Sequence, residues 1–259
     1  MGELYAMESS AIAAEKALSL LSRLAAKVRW PGLFDGVDSA TEDWIIDQMH
    51  TVRPVVETGY ENVFTLAIEN HVTGTRFIVA EGLTVEGILE NWSKLKPIIM
   101  EEWDEKRNDL IDLFGKVRDE WLEQDFATWI GANRLYPGVS DALKFASSRV
   151  YIVTTKQYPN PFLPEWLYHL KEYLALELGY PKVEVLKQLQ KKPEHQGLTL
   201  HFVEDRLATL KNVIQEPELD QWNLYLGNWG YNTRKEREGA AAIPRIHVLG
   251  LSDFSKKLK

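Results

Sequence analysis

Apolar residues recur at helical spacing through most of the first half of the chain and in short unbroken runs through the second. Residues 8–29 are rich in Ala and Leu with no Gly or Pro. They predict a helix that Ser9 or Ser10 caps and Trp30-Pro31-Gly32 ends. A second helix is expected from Thr41, where Glu42 and Asp43 suit the helix dipole and Trp44, Ile45, Gln48, Met49 and Val52 come after at helical spacing. Residues 63–80 hold two β-prone runs around Thr73-Gly74, which permits a hairpin. Residues 84–96 and 98–126 read as helix, and Pro97 is expected to kink or break them. Leu110, Leu113, Phe114, Val117, Trp121 and Leu122 form one apolar stripe there.

The period changes after Gly131. A short helix at 139–147 leads to an apolar β-prone run at 150–155. A helix is expected after Pro164, with Trp166, Leu167, Leu170, Tyr173 and Leu174 on one face. Next come helix 183–191, strand 198–203, helix 206–214, strand 222–226, helix 233–241 and strand 245–249. Continuous apolar strands alternating with helices indicate a parallel sheet covered on both faces. The fold class expected is therefore α/β, with a helical module ahead of most of the sheet.

Composition narrows the function classes. A chain of 259 residues can bury roughly three quarters of its unfolded surface. With 45% hydrophobic and 26% charged residues it has the balance of a globular protein. The absence of cysteine removes disulfide scaffolds, Cys-based zinc sites and thiol catalysis. A formal net charge of −8 argues against nucleic acid as a partner, since such binders present a basic face. No apolar run reaches the roughly 18 residues of a membrane span, and no membrane partner is expected. Residues 1–6 lack the layout of a secretory signal, so a cytoplasmic location is expected.

Ligands of open parallel sheets bind at the carboxyl ends of the strands. The strand at 150–155 closes with Thr154-Thr155-Lys156, the strand at 198–203 runs into Glu204-Asp205-Arg206, and Lys182 opens the helix between them. A Thr hydroxyl and a Lys ammonium suit phosphoryl oxygens, and a carboxylate suits a hard cation such as Mg²⁺. Taken singly, Thr154 reads as a turn residue, Lys182 as a surface charge and Asp205 as a cap for the next helix. The run 228–232, Asn-Trp-Gly-Tyr-Asn, either lines the same edge or is a plain loop. The six histidines show no metal-ligand spacing, and Trp92, Trp103, Trp121 and Trp129 read as core.

Four motifs carry a family resemblance. Pro137-Gly138-Val139 with Ala142-Leu143 just after it resembles the helix before the second motif of haloacid dehalogenase-like (HAD) hydrolases. The apolar strand ending at Thr154 resembles that second motif. Residues 181–186, Pro-Lys-Val-Glu-Val-Leu, resemble the lysine-bearing third, and 201–206, His-Phe-Val-Glu-Asp-Arg, the acidic fourth. Longer strings at 27–45, 82–92 and 201–213 resemble a plant branch of the superfamily.

The resemblance implies a HAD-type Rossmann-like core carrying an inserted helical cap. Residues 1–29 would be the start of the core and a leading helix, 30–133 the cap, and 134–259 the α/β core. It also implies phosphatase-type chemistry on a small phosphorylated substrate. In the family an aspartate attacks phosphorus, and a second Asp two residues later acts as acid and base. Thr154 and Lys182 would be the catalytic residues that hold the phosphoryl oxygens. Asp205, with Glu204, would bind Mg²⁺.

The chain departs from the family pattern at its first motif. An apolar strand should lead into Asp-x-Asp-Gly, and residues 4–10 read Leu-Tyr-Ala-Met-Glu-Ser-Ser instead. Leu33-Phe34-Asp35-Gly36-Val37 is no substitute, because Leu33 stands where the nucleophile should be; Asp35-Gly36 reads as a turn. With 63–80 and 158–180 also departing, the sequence reads as an impaired hydrolase. The alternatives are a non-catalytic binding or regulatory relative, and a non-functional splice or gene-model variant. The expectation for the fold is a core missing part of its central strand, with residues 4–7 able to pair only in part.

Overall fold

The computed structural model describes residues 2–7, 12–13, 15–34, 38–56, 59–63, 85–154, 174–175 and 181–258. They divide into two compact units. One comprises Met1–Ala13 with Leu135–Lys259, and the other Ala14–Arg134.

The first unit is built on a parallel sheet of six strands: β1 (Glu3–Met7), β4 (Arg149–Thr154), β5 (Leu174–Ala175), β6 (Thr199–Glu204), β7 (Trp222–Gly227) and β8 (Ile246–Leu249). Their spatial order is β5-β4-β1-β6-β7-β8. Two short strands, β2 (Ile12–Ala13) and β3 (Arg134–Leu135), pair with each other separately.

The expectation of an incomplete central strand is corrected here. β1 is paired on both sides: Leu4 to Met7 run beside Arg149 to Ile152, and Glu3 to Met7 beside Thr199 to Val203. Leu4, Ala6 and Met7 are fully buried, so apolar burial and two hydrogen-bonded edges hold the segment.

One face of the sheet presents Leu4, Ala6, Tyr151, Val153, Leu200, Phe202, Leu224 and Leu226 to a core shared with flanking helices. Numbered along the whole chain, three of these are α7 (Lys182–Lys191), α8 (Leu207–Ile214) and α9 (Arg234–Ala241). They contribute Val185, Leu186, Leu189, Leu207, Leu210, Val213 and Ala240. α6 (Val139–Lys144) and α10 (Leu251–Leu258) also belong to this unit. α6 starts at Gly138, whose φ of 82° lies where a side chain would be strained. α10 goes beyond the sequence reading, although Leu251, Phe254 and Leu258 carry the spacing of an amphipathic helix.

The second unit is helical: α1 (Glu15–Arg29), α2 (Ser39–Val52), α3 (Val85–Glu102), α4 (Arg107–Gln124) and α5 (Phe126–Ala132). Residues 12–13, expected as helix, are extended. α3 runs through Pro97, and the chain breaks later, at Trp103 to Lys106, where Asp104 takes φ 50°. Pro97 and Ser93 both lie on the exposed side, so the carbonyl that loses its donor faces water rather than the core. Two buried carboxylates anchor this unit. Glu61 accepts from the Trp92 indole at 2.8 Å and pairs with Lys96 at 3.2 Å; Glu105 takes the Trp30 indole and Arg29.

Val63 lies in a helical turn. The rest of the possible hairpin, the helix expected after Pro164 as far as Tyr173, and Asp35-Gly36 lie outside the described residues, whereas Leu174, expected on that helix, is extended in β5 and pairs with Val153. Among the described residues no helix is long and apolar enough to cross a membrane.

Candidate functional site

The strand order locates the candidate site before any side chain is considered. From β1 the chain proceeds to β4 and β5 on one side, then returns to β6, β7 and β8 on the other. The carboxyl ends of β4, β1 and β6 therefore surround the point where the winding reverses, the place where such sheets leave a crevice. Thr154 closes β4, Met7 closes β1 and Glu204 closes β6. Register sets Met7 beside both Ile152 and Val203, so the three strand ends are neighbours.

Lys182 and Glu204 meet directly. The ammonium Nζ donates to Glu204 Oε2 at 2.7 Å. Lys182 is the first residue of α7, where a cation opposes the helix dipole. A buried carboxylate opposite it offsets that cost. Glu204 has no exposed surface, and its Oε1 accepts from the backbone N–H groups of Asp205 and Arg206 at 3.2 and 3.1 Å.

Asp205 is not a helix cap. Arg206 is the N-cap residue of α8 and makes no side-chain cap bond. The Asp205 carboxylate instead accepts from the backbone N–H of Tyr231 at 3.1 Å. The loop after β7 wraps it further. Asn232 Nδ2 donates to the carbonyls of Asp205 and Gly227 at 2.9 and 2.8 Å, and Arg237 Nη1 donates to the Asn232 carbonyl and Oδ1, both at 2.9 Å. Gly230 leaves no room for a side chain: a Cβ there would sit 2.2 Å from the Asp205 Cβ.

Of the two sequence readings of 228–232, the structure favours the one at the carboxyl edge. Gly230 and Asn232 lie in that run, whose signal was an Asn/Gly-rich stretch directly after a buried strand. Arg237 lies beyond it, and nothing in the sequence marked it.

The described residues do not fit a Mg²⁺ ion. Glu204 already meets an ammonium and two amides, and the Asp205 carboxylate meets an amide. Among the described residues no three His, Asp or Glu side chains converge as a ligand set. A hard cation prefers six or more oxygens, several of them carboxylate or water. The whole chain, moreover, contains no Asp-x-Asp pair.

No family model matches this sequence, and no curated protein matches it. Among solved structures, the chain is similar to a protein from Bacteroides fragilis described as a haloacid dehalogenase-like hydrolase. Identity is 12%, the TM-score is 0.51, and the match covers 98% of this chain and 100% of that one. A second match, from Burkholderia xenovorans and described in the same terms, has 14% identity and a TM-score of 0.46, covering 99% and 96% of the two chains. The Bacteroides match gives the chain a HAD-like α/β fold, with a parallel sheet and a helical insertion.

Proposed function

We propose that this chain is a catalytically impaired relative of the phosphatase-type HAD hydrolases. In this reading it keeps residues that recognise a small phosphorylated molecule and lacks the residue that attacks phosphorus. The observation that carries it is the end of β1. This strand lies between β4 and β6, and the chain leaves it as Met7-Glu8-Ser9-Ser10, with no aspartate pair.

Lys182 is the cation of the proposed site, and a phosphoryl group would compete with Glu204 for it. Thr154, at the end of the neighbouring strand, is proposed as a hydroxyl donor to the same group. Asp205 and Glu204, the proposed metal residues of an active relative, act here on Lys182 and on backbone amides, and no step is routed through a metal. Residues 30–133, which fall within the unit Ala14–Arg134, are proposed as the cap that selects the substrate. A cytoplasmic protein without a nucleic-acid or membrane partner completes the proposal.

Loss of a nucleophile and its acid–base partner costs roughly 10³–10⁶ in rate in other enzymes whose residues act as a unit. Purified protein assayed with an aryl phosphate and Mg²⁺ tests the reading. Turnover no higher than that of a Lys182→Ala/Asp205→Asn double variant is expected. Turnover well above the variant would make the chain an active phosphatase.

The two-sided pairing of β1 supports a binding or regulatory relative over a non-functional product. An unpaired central strand would leave buried backbone groups at about 1–3 kcal/mol each, and the observed register avoids that cost. Calorimetry with phosphorylated metabolites separates the two: saturable binding that Lys182→Ala abolishes supports the relative, and no binding to any of them opposes it.

A further inference from the structure

The sheet face opposite the apolar core carries a cluster that plays no part in the proposed phosphoryl site. Tyr5 of β1 and His201 of β6 are register partners, and their rings stack with centroids 4.4 Å apart and planes 10° apart. On the other side His201 Nδ1 meets the Tyr225 hydroxyl at 3.3 Å. Tyr225 packs against His247 of β8 and beneath the Lys257 ammonium of α10, 5.3 Å from its ring centre. Glu3, at the start of β1, accepts from the Tyr5 hydroxyl at 3.2 Å.

One atom in this cluster is unsatisfied. His201 is 6% exposed, and its Nε2 is buried without a hydrogen-bond partner. The nearest carboxylate oxygen, Glu3 Oε1, stands 3.9 Å away, beyond hydrogen-bond range. Neither neutral tautomer resolves this. With the proton on Nε2 a buried donor lacks an acceptor, and with the proton on Nδ1 a buried acceptor lacks a donor. A second proton makes both nitrogens donors and places a cation within reach of Glu3, inside the sheet.

We infer that His201 is an acid-responsive switch: its protonation puts a buried imidazolium between β1 and β7 and loosens the packing of β1, β6 and α10. The groups facing it set the balance. Glu3 favours the charged form, Lys257 opposes it, and burial opposes it most, so the His201 pKa lies below its ordinary value. Burial, then Glu3, raises the pKa of Tyr5 and Tyr225, so both hydroxyls stay neutral.

Acid therefore destabilises the fold at this site. A histidine whose folded pKa is depressed takes up its proton more readily in the unfolded chain. Its stabilising contribution is present above the unfolded value of about 6.5 and is lost as pH falls from there toward the folded value.

The test combines thermal unfolding with a proton NMR titration of the imidazoles, using the full chain and assigning His201 through its backbone connectivities. Wild-type Tm is expected to fall between about pH 7.5 and pH 5.5 by up to roughly 3–5 °C, the effect of about one unit of separation between the two pKa values. His201→Phe should flatten that fall. Glu3→Gln, at a side chain 42% exposed, should steepen it and move the His201 midpoint lower. A His201 midpoint at or above about 6.5 overturns the inference, as does an unchanged pH slope in His201→Phe. If His201→Phe does not fold, the midpoint shift between wild type and Glu3→Gln decides. The outcome is independent of any phosphoryl binding.

Discussion

The Lys182 ammonium lies 2.7 Å from a Glu204 carboxylate that has no exposed surface. The lysine is 12% exposed, so it forms the outer half of an ion pair whose inner half cannot reach water. Removing the cation strands a buried charge. Lys182→Met is therefore expected to cost about 3–5 kcal/mol. Glu204→Gln should cost less, because Gln can still accept from the two amides and Lys182 can turn toward solvent. Urea midpoints at unchanged m-value measure both. Equal midpoints for Lys182→Met and wild type would mean that the pair contributes nothing.

The loop that holds Asp205 gives a second prediction. Gly230→Ala would bring a Cβ to 2.2 Å from the Asp205 Cβ and 2.6 Å from its Oδ2, so the loop must shift. Overpacking of this kind costs about 1–3 kcal/mol. Asn232→Ala strips two carbonyls of their shared donor and is expected to cost a similar amount, about 1–3 kcal/mol. The two residues act on one loop, so the double variant should fall short of additivity. Thermal unfolding of the two single variants and the double variant checks this.

Tyr151 and His195 form a buried pair of a different kind. His195 Nδ1 faces the Leu189 carbonyl at 2.7 Å and must donate to it, which leaves Nε2 to accept from the Tyr151 hydroxyl at 2.8 Å. Both residues are almost fully buried. Tyr151→Phe leaves the imidazole acceptor unpaired at about 1–3 kcal/mol. The change keeps the ring and its contact with the Lys192 ammonium, so the loss in a denaturation experiment reports the hydrogen bond alone.

At the start of α9, Thr233 accepts from the Glu236 backbone N–H while the Glu236 side chain accepts from the Thr233 backbone, a reciprocal cap. Thr233→Ala should cost about 1 kcal/mol. Amide exchange should quicken in the first turn of α9 and stay unchanged in β7. Faster exchange through β7 would show that the cap supports the sheet as well.

Most elements of the sheet unit were legible along the chain. The strands at 149–154, 199–204, 222–227 and 246–249 and the helices α7, α8 and α9 fall within one residue of the expected bounds, because buried parallel strands are uniformly apolar and helices are not, whereas β5 stands where a helix was expected. Pro97 misled because a missing hydrogen bond is costly only where the carbonyl it strands is buried, and exposure is a tertiary property.

Sequence by itself determined the α/β class, the acidic thiol-free chemistry and the absence of an Asp-x-Asp pair. These depend on residue identity and period alone. Only the tertiary structure decided that five residues of β1 complete the sheet from both sides, because a strand pairs with its neighbours in space rather than its neighbours along the chain. It also decided that Asp205 is held by Tyr231 and Asn232, more than twenty residues away in sequence. The bond from Lys182 to Glu204 rather than to solvent belongs to the same class. A carboxylate acquires its partner when burial removes water as the alternative, and burial is set by the fold.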